Sequence, residues 1–212
     1  MYMNFSPSDL LIIIPIIFIS MAIHEAVHAY VAHALGDTTA SEEGRITLNP
    51  FKHIDLYMTI LLPAVLILLS LPPIFAAKPV PFDPMRVKYE EFGVALIGIS
   101  GPISNLFLAM AAAILYKAVP LVGLPKNVVL TFIIINISFF VFNMIPFPPL
   151  DGSRLLYAFA PEPLQKLMHQ IESMGFMAII LFFILLVPVL GPLITEAVQA
   201  ILVLLLPGVY QL

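Results

Sequence analysis

The chain contains no cysteine and no tryptophan, and few of its 212 residues carry a charge. Without cysteine it has no disulfide, no thiolate metal ligand and no cysteine nucleophile. Lys, Arg, Asp and Glu make up 10% of the residues, whereas a soluble domain has about 25%. The net charge of -4 is small and its carriers are dispersed, so we expect no nucleic-acid partner.

Apolar residues dominate the remainder of the composition. They account for 61% of the chain, and the mean hydropathy is +1.05. Five apolar segments are long enough to approach or cross a hydrocarbon core about 30 Å thick; they cover about residues 9–35, 56–76, 93–116, 127–147 and 175–206. This pattern predicts an all-α, polytopic integral membrane protein with about four to five transmembrane segments, forming one domain over residues 1–212.

The first apolar segment could be taken for a signal peptide, since Leu10–Ser20 has the length of the apolar region of one. Residues 1–8 contain no Lys or Arg, however, and no small-residue cleavage site precedes His24. We therefore predict a retained helix that ends near Gly36.

The motif His24-Glu25-Ala26-Val27-His28 lies within this first helix. At about 100° of rotation per residue, the two histidines lie roughly 40° apart on one helix face, so both imidazoles can reach a single metal ion. Ionisable side chains at bilayer depth cost about 2.5–3.5 kcal/mol each on insertion scales, which favours a metal site over a chance pattern. In zinc hydrolases of this pattern, the glutamate accepts a proton from the metal-bound water. A further ligand must come from elsewhere in the chain.

Asp151 is the best candidate for that ligand, because it follows the proline-interrupted apolar segment at about 127–147. Considered locally, Asp151-Gly152 equally fits a turn or a helix N-cap where the chain leaves the membrane. Its combination with the histidine motif favours the ligand.

With these motifs the chain resembles the site-2 proteases, which are intramembrane zinc metalloproteases. Three blocks match in order, namely His24–His28, Gly101–Asn105 and Asn143–Gly152. The resemblance covers about residues 10–160. It is similar to the compact prokaryotic type, without a PDZ-like or CBS-like insertion. The resemblance implies one Zn²⁺ per chain, bound by His24, His28 and Asp151, with Glu25 as the general base.

The resemblance also suggests a role for Asn143, which is similar in placement to a family asparagine near the active site. There it would orient the substrate or stabilise the oxyanion. An asparagine within a membrane helix equally satisfies backbone groups freed by a nearby proline, here Pro146.

The membrane topology follows from the requirement that His24 and Asp151 share one face of the bilayer. Three full crossings between them would put them on opposite faces, so one segment does not cross. The segment 56–76 is interrupted by Pro63, Pro72 and Pro73, and we predict that it re-enters over about residues 56–82.

The basic residues then give an orientation. With re-entry, seven of the nine Lys and Arg residues lie on the side of the site, and full crossing would give four against five. The positive-inside rule predicts a cell-membrane protein with its active site toward the cytoplasm and its N-terminus outside. The seven are Arg45, Lys52, Lys78, Arg86, Lys88, Arg154 and Lys166, and the other two are Lys117 and Lys126.

The stretch Lys78-Pro79-Val80-Pro81 has two interpretations. It is either an extended segment that docks the substrate by strand addition or, as we favour, a plain loop at the membrane surface. His53 and Asp55 lie in the polar connection that precedes the re-entrant segment. They have either a gating or supporting role near the site or, as we favour, a place in a solvated loop.

We expect the chain to hydrolyse a peptide bond in or near a transmembrane segment of a substrate protein in the lipid bilayer. Two alternatives stay open: a zinc hydrolase acting on a lipid or small molecule, and a non-catalytic membrane chaperone or metal-binding partner.

Overall fold

The computed structural model describes residues 7–68 and 77–208, and over these residues it is helical without a β-strand. The all-α fold class is therefore confirmed. The helices are α1 (Pro7–Ala34), α2 (Thr39–Glu42), α3 (Leu62–Leu68), α4 (Glu90–Ala118), α5 (Gly123–Asn143), α6 (Gly152–Phe159), α7 (Glu162–Ser173), α8 (Phe176–Leu181) and α9 (Val187–Leu205). Short 3₁₀ turns cover Pro50–His53 and Pro84–Arg86, and π-helical turns cover Leu56–Leu61 and Phe182–Leu186.

Four helices in the described ranges are long and apolar enough to cross a membrane, and the mean hydropathy of their apolar windows is 1.8 to 2.8. They are Asp9–Ala34, Glu90–Ala118, Gly123–Asn143 and the continuous run Phe176–Leu205. The third ends four residues before the predicted boundary at 147. Pro146 lacks a backbone N–H and disfavours the helical conformation of the residue before it, which favours the end of the helix here.

The segment that was predicted to re-enter begins with the π-helical turn Leu56–Leu61 and continues as α3. These 6 and 7 residues rise about 20 Å at 1.5 Å per residue, which is less than the thickness of the hydrocarbon core. Residues 69–76, which include Pro72 and Pro73, lie outside the described residues. Re-entry over 56–82 stays a prediction.

Helix α4 lies at the centre and packs against α1, α5 and α6. Its small residues Ala109 and Ala113 are buried against Ile133 and Ile137 of α5. Small residues let apolar helices approach closely in a membrane, where packing rather than hydrophobic burial drives association. The same helix therefore fixes the position of the helix that carries the histidine motif and of the segment that carries Asp151.

Two glycines allow α6 to lie directly on its neighbours. A Cβ at Gly98 of α4 would lie 2.7 Å from Arg154 Cβ and 2.9 Å from Asp151 O. A Cβ at Gly152 would lie 2.4 Å from Met144 O. These distances are shorter than any normal contact, so the close packing that places Asp151 depends on the missing side chains.

Candidate metal centre

His24, His28 and Asp151 meet at one point, although 123 residues separate His28 from Asp151 in the sequence. The two Nε2 atoms lie 3.0 Å apart, and Asp151 Oδ2 lies 3.0 Å from that of His24 and 3.3 Å from that of His28. Each histidine is 6% exposed, whereas the Asp151 side chain is 26% exposed. The structure thus brings the predicted ligands together, and the group could hold a metal ion.

The Nδ1 atom of each imidazole is hydrogen-bonded to an acceptor. His24 Nδ1 lies 2.6 Å from Asn105 Oδ1, and His28 Nδ1 lies 2.7 Å from Ile97 O. Because an amide or carbonyl oxygen only accepts, each Nδ1 carries a proton and donates it. With Nδ1 protonated in each ring, Nε2 is the nitrogen that would present a lone pair to a cation shared with Asp151 Oδ2.

The donor set and its spacing fit zinc. Two imidazole nitrogens and a carboxylate oxygen form one of the ligand combinations of catalytic zinc sites, which keep a fourth position for water. Ligand atoms about 2.0–2.2 Å from a shared tetrahedral ion lie roughly 3.3–3.5 Å apart. The observed separations of 3.0 to 3.3 Å are close to this value.

Space for an ion exists because residue 101 has no side chain. A Cβ on Gly101 of α4 would lie 2.3 Å from His28 Nε2 and 2.7 Å from His24 Nε2. Gly101 is buried in the interior of the helix, where glycine has a lower helix propensity than alanine. The close approach to the imidazoles accounts for its presence.

A buried polar network supports the ligand His24 from behind. Asn105 Nδ2 donates to Asn136 Oδ1 at 2.9 Å, and Asn136 Nδ2 donates to Ser20 Oγ at 2.9 Å. All three residues are 0% exposed. Such partners fix the tautomer and ring orientation of a metal-binding histidine. The sequence interpretation included Asn105 in a matching block without a role and missed Asn136 and Ser20; the available signal was amide side chains inside apolar helices.

Glu25 is partly buried and lies next to the first histidine on α1. The backbone N–H of Val80 donates to Glu25 Oε2 at 3.1 Å. Lys78, Pro79, Val80 and Pro81 belong to neither a helix nor a strand. The segment therefore lies beside the predicted general base, and its role in substrate docking stays a prediction.

Asn143 bonds within its own helix, because its Nδ2 donates to Phe139 O at 3.0 Å. The carbonyl that Pro146 leaves without its helical donor is Phe142 O, which accepts from Ile145 N at 3.2 Å, so a role of Asn143 toward groups freed by Pro146 stays a prediction. A role toward substrate also stays a prediction. His53, in contrast, is 2% exposed, so the expectation of a solvated loop was wrong; its Nε2 donates to Thr47 O at 2.9 Å, which draws the ring inside.

Two carboxyl groups outside the membrane-spanning helices have shifted pKa values. Burial alone would raise the pKa of Asp151, but the facing imidazoles of His28 and His24 lower it below its usual range. Burial would also raise the pKa of Asp37, yet hydrogen bonds from the Thr39 hydroxyl and from the N–H groups of Thr39 and Asp83 lower it. Both groups are therefore carboxylates at neutral pH.

The chain matches the model of peptidase family M50 over residues 118–187, which include Asp151. It is 33% identical over 177 residues to "Putative zinc metalloprotease YwhC" of Bacillus subtilis, and the alignment covers 79% of this chain and 78% of that protein. It is 24% identical over 182 residues to "Putative zinc metalloprotease Rip2" of Mycolicibacterium smegmatis, covering 78% of this chain and 63% of that protein. No solved structure matches the chain.

Proposed function

The chain belongs to peptidase family M50, the site-2 protease family, and we propose that it hydrolyses a peptide bond in or near a transmembrane segment of another membrane protein. One observation carries the proposal: His24 and His28 meet Asp151 in a group that could hold a metal ion. The two histidines and Glu25 lie on a helix that is long and apolar enough to cross a membrane. The similarity to proteins named zinc metalloproteases implies Zn²⁺ as the cofactor.

In this proposal His24, His28 and Asp151 hold the zinc. Bound zinc supplies a Lewis acid and lowers the pKa of a coordinated water to about 7. Asn105 and the backbone of Ile97 hold the two imidazoles in the tautomer that leaves Nε2 free.

Glu25 acts as the general base. It accepts a proton from the attacking water and donates it to the amine that leaves when the peptide bond breaks. Val80 N–H binds Oε2 of this carboxylate, and the lone pairs that remain on its oxygens can receive the proton. Positioned proton transfer of this kind typically contributes about 10²–10⁴-fold to a rate.

The proposed orientation places the active site toward the cytoplasm. α4 begins at Glu90, close to the end of α1, since Lys88 N donates to Leu35 O at 2.9 Å. Lys117 and Lys126 lie at the opposite end, where α4 ends and α5 begins. This arrangement supports the charge asymmetry on which the positive-inside argument depends.

A direct test uses the purified chain in liposomes with a pool of single-span reporter proteins, and mass spectrometry to identify new N-termini. Wild type and Glu43→Gln, a control at an exposed carboxyl, should cut within or next to the apolar span. Glu25→Gln should retain zinc and lose the cuts. Identical products from wild type and Glu25→Gln, or turnover of a lipid ester without any peptide cleavage, would refute the proposal.

A further inference from the structure

The connection before α4 contains a chain of contacts that runs from a buried arginine to the general base. We propose that Arg45 is a positioning residue: it holds the backbone of Lys78–Val80 where the Val80 N–H can bind the Glu25 carboxylate. This inference rests on the proposed function, in which Glu25 is the general base.

Arg45 is 5% exposed, and its guanidinium binds carbonyl oxygens. Nη2 donates to Lys78 O at 2.7 Å and to Pro79 O at 3.4 Å, and Nη1 donates to Lys52 O. Burying a guanidinium is costly unless its donors are satisfied. The three carbonyls bind Nη1 and Nη2 and belong to two separate segments, so Arg45 joins the 3₁₀ turn at residues 50–53 to the segment Lys78–Pro81; among the described residues its Nε has no hydrogen-bond partner.

The segment Lys78–Pro81 is held from a second side as well. Lys78 N donates to His53 O at 2.8 Å. His53 is itself fixed by its bond to Thr47 O. Both the N–H and the C=O of Lys78 are therefore engaged, which leaves its peptide groups little freedom to rotate.

The two prolines make Val80 the sole hydrogen-bond donor of the backbone between residues 79 and 81, because proline has no N–H. Pro81 also restricts Val80 to the extended region of conformational space. The direction of the Val80 N–H is thus fixed by local sequence once Lys78 is in place. That N–H donates to Glu25 Oε2 at 3.1 Å.

The far end of the segment has its own anchor. Asp83 N donates to Asp37 Oδ2 at 2.8 Å, and Asp37 is 0% exposed just beyond the end of α1. The segment is therefore fixed at both ends to elements that contact α1. A carboxylate with one oxygen held in this way is oriented before the substrate arrives.

The functional consequence concerns the rate rather than binding. A misplacement of about 1 Å in a reacting group can cost 10²-fold in rate. Loss of the Val80 contact frees Glu25 without touching the zinc ligands. We therefore expect kcat to fall about 10- to 100-fold while KM and zinc content change less than about threefold.

Two matched pairs of variants test the contact. Val80→Pro removes the N–H and keeps the extended backbone, whereas Val80→Ala keeps the N–H and removes the side chain. Arg45→Met removes the donors, whereas Arg45→Lys keeps a donor and should restore part of the lost kcat. Lys88→Met, at an exposed lysine of the same connection, controls for the loss of a positive charge.

The double variant separates positioning from general destabilisation. If Arg45 acts through Val80, Arg45→Met combined with Val80→Pro should lower kcat no further than the more damaging single change. Additive losses in kcat would show that the two residues act independently and would overturn the proposal.

A spectroscopic readout needs no substrate. The chain contains two Pro–Val peptide bonds, Pro79–Val80 and Pro188–Val189. Labelling proline with carbonyl ¹³C and valine with ¹⁵N selects these two amides in an NMR spectrum, and Val80→Ala identifies which signal belongs to Val80. Arg45→Met and Glu25→Gln should both shift the Val80 proton upfield, because a bond to a carboxylate shifts it downfield, and Pro188–Val189 should not move.

The outcomes for the two proposals are distinguishable. Loss of activity in Glu25→Gln with wild-type kcat in Val80→Pro and Arg45→Met would overturn the positioning role alone. Full activity in Glu25→Gln would overturn the proposed function. A Val80 amide signal unchanged by Arg45→Met would overturn the link between the arginine and the general base, whatever the kinetics.

Discussion

His24 Nδ1 donates a 2.6 Å hydrogen bond to Asn105 Oδ1, which joins a metal-ligand candidate on α1 to a buried amide on α4. Replacing Asn105 with alanine should weaken zinc binding about 10- to 100-fold, as loss of such an outer partner typically does. Competition with a chromogenic chelator measures the affinity.

Asn143→Ala is the matched control for this experiment, since the Asn143 amide donates to Phe139 O within its own helix. It should bind zinc like wild type. Equal affinity in Asn105→Ala and wild type would mean that His24 keeps its orientation without the amide.

Gly101→Ala should abolish zinc binding while the helix stays folded. Its new methyl group would lie 2.3 Å from His28 Nε2, inside the space between the ligands, and alanine is the better helix former. Zinc content per chain and the circular dichroism spectrum measure the two effects. Gly191→Ala, where a Cβ meets nothing within 4 Å, should leave both unchanged, and a zinc-replete Gly101→Ala would contradict the site.

Asp151→Ala should lose most of the zinc that wild type holds, because it removes the ligand that comes from outside α1. Added zinc should then raise the Tm of wild type and leave that of Asp151→Ala nearly unchanged. At a free zinc concentration of 100 Kd the stabilisation of wild type is about 2.7 kcal/mol. A folded Asp151→Ala that binds zinc as wild type does would remove Asp151 from the ligand set.

Asp37 should stabilise the fold in a pH-dependent way. Its folded-state pKa is lowered below the ordinary value of 3.8, so its contribution is present above about pH 4 and is lost as the pH falls through the folded-state pKa. Asp37→Asn should lower the free energy of unfolding by about 1.5–3 kcal/mol at pH 7, because hydrogen bonds to a charged acceptor are weakened.

Thermal unfolding of the two proteins from pH 7 down to pH 3 checks the sign. The difference in Tm between wild type and Asp37→Asn should shrink toward acid pH. Glu43→Gln, at an exposed position, should show little difference at any pH. If the difference in Tm increased toward acid pH, the pKa of Asp37 would not be lowered in the folded protein.

The helices of the membrane-spanning part were predictable because runs of apolar residues fix both their position and their environment. The histidine motif was predictable because its spacing places two imidazoles on one helix face. Asp151 needed more than local sequence, since Asp-Gly fits a turn equally well. Its combination with the histidine motif favoured the ligand, and the 3.0 Å distance to His24 shows that the two are neighbours.

The contacts that support the site could not be predicted, because they join residues far apart in the sequence. Asn105 lies 81 positions from His24, and Val80 lies 55 positions from Glu25. Neither pairing leaves a periodic pattern. From sequence alone, Arg45 is expected to be a surface charge, because the carbonyls that bind it inside the fold are not known. His53 was assigned to solvent because its carbonyl partner was equally unknown.

The candidate ligands contribute nitrogen and oxygen atoms, and the sequence contains no thiol. Imidazole and carboxylate ligands have no counterpart of the sulfenic acid and disulfide states through which oxidants switch thiolate sites. Peroxide or a changed glutathione poise would therefore leave the coordinating atoms intact. Control over such a centre would act on the access of substrate and water to it, and the oxidation state of its ligands would play no part.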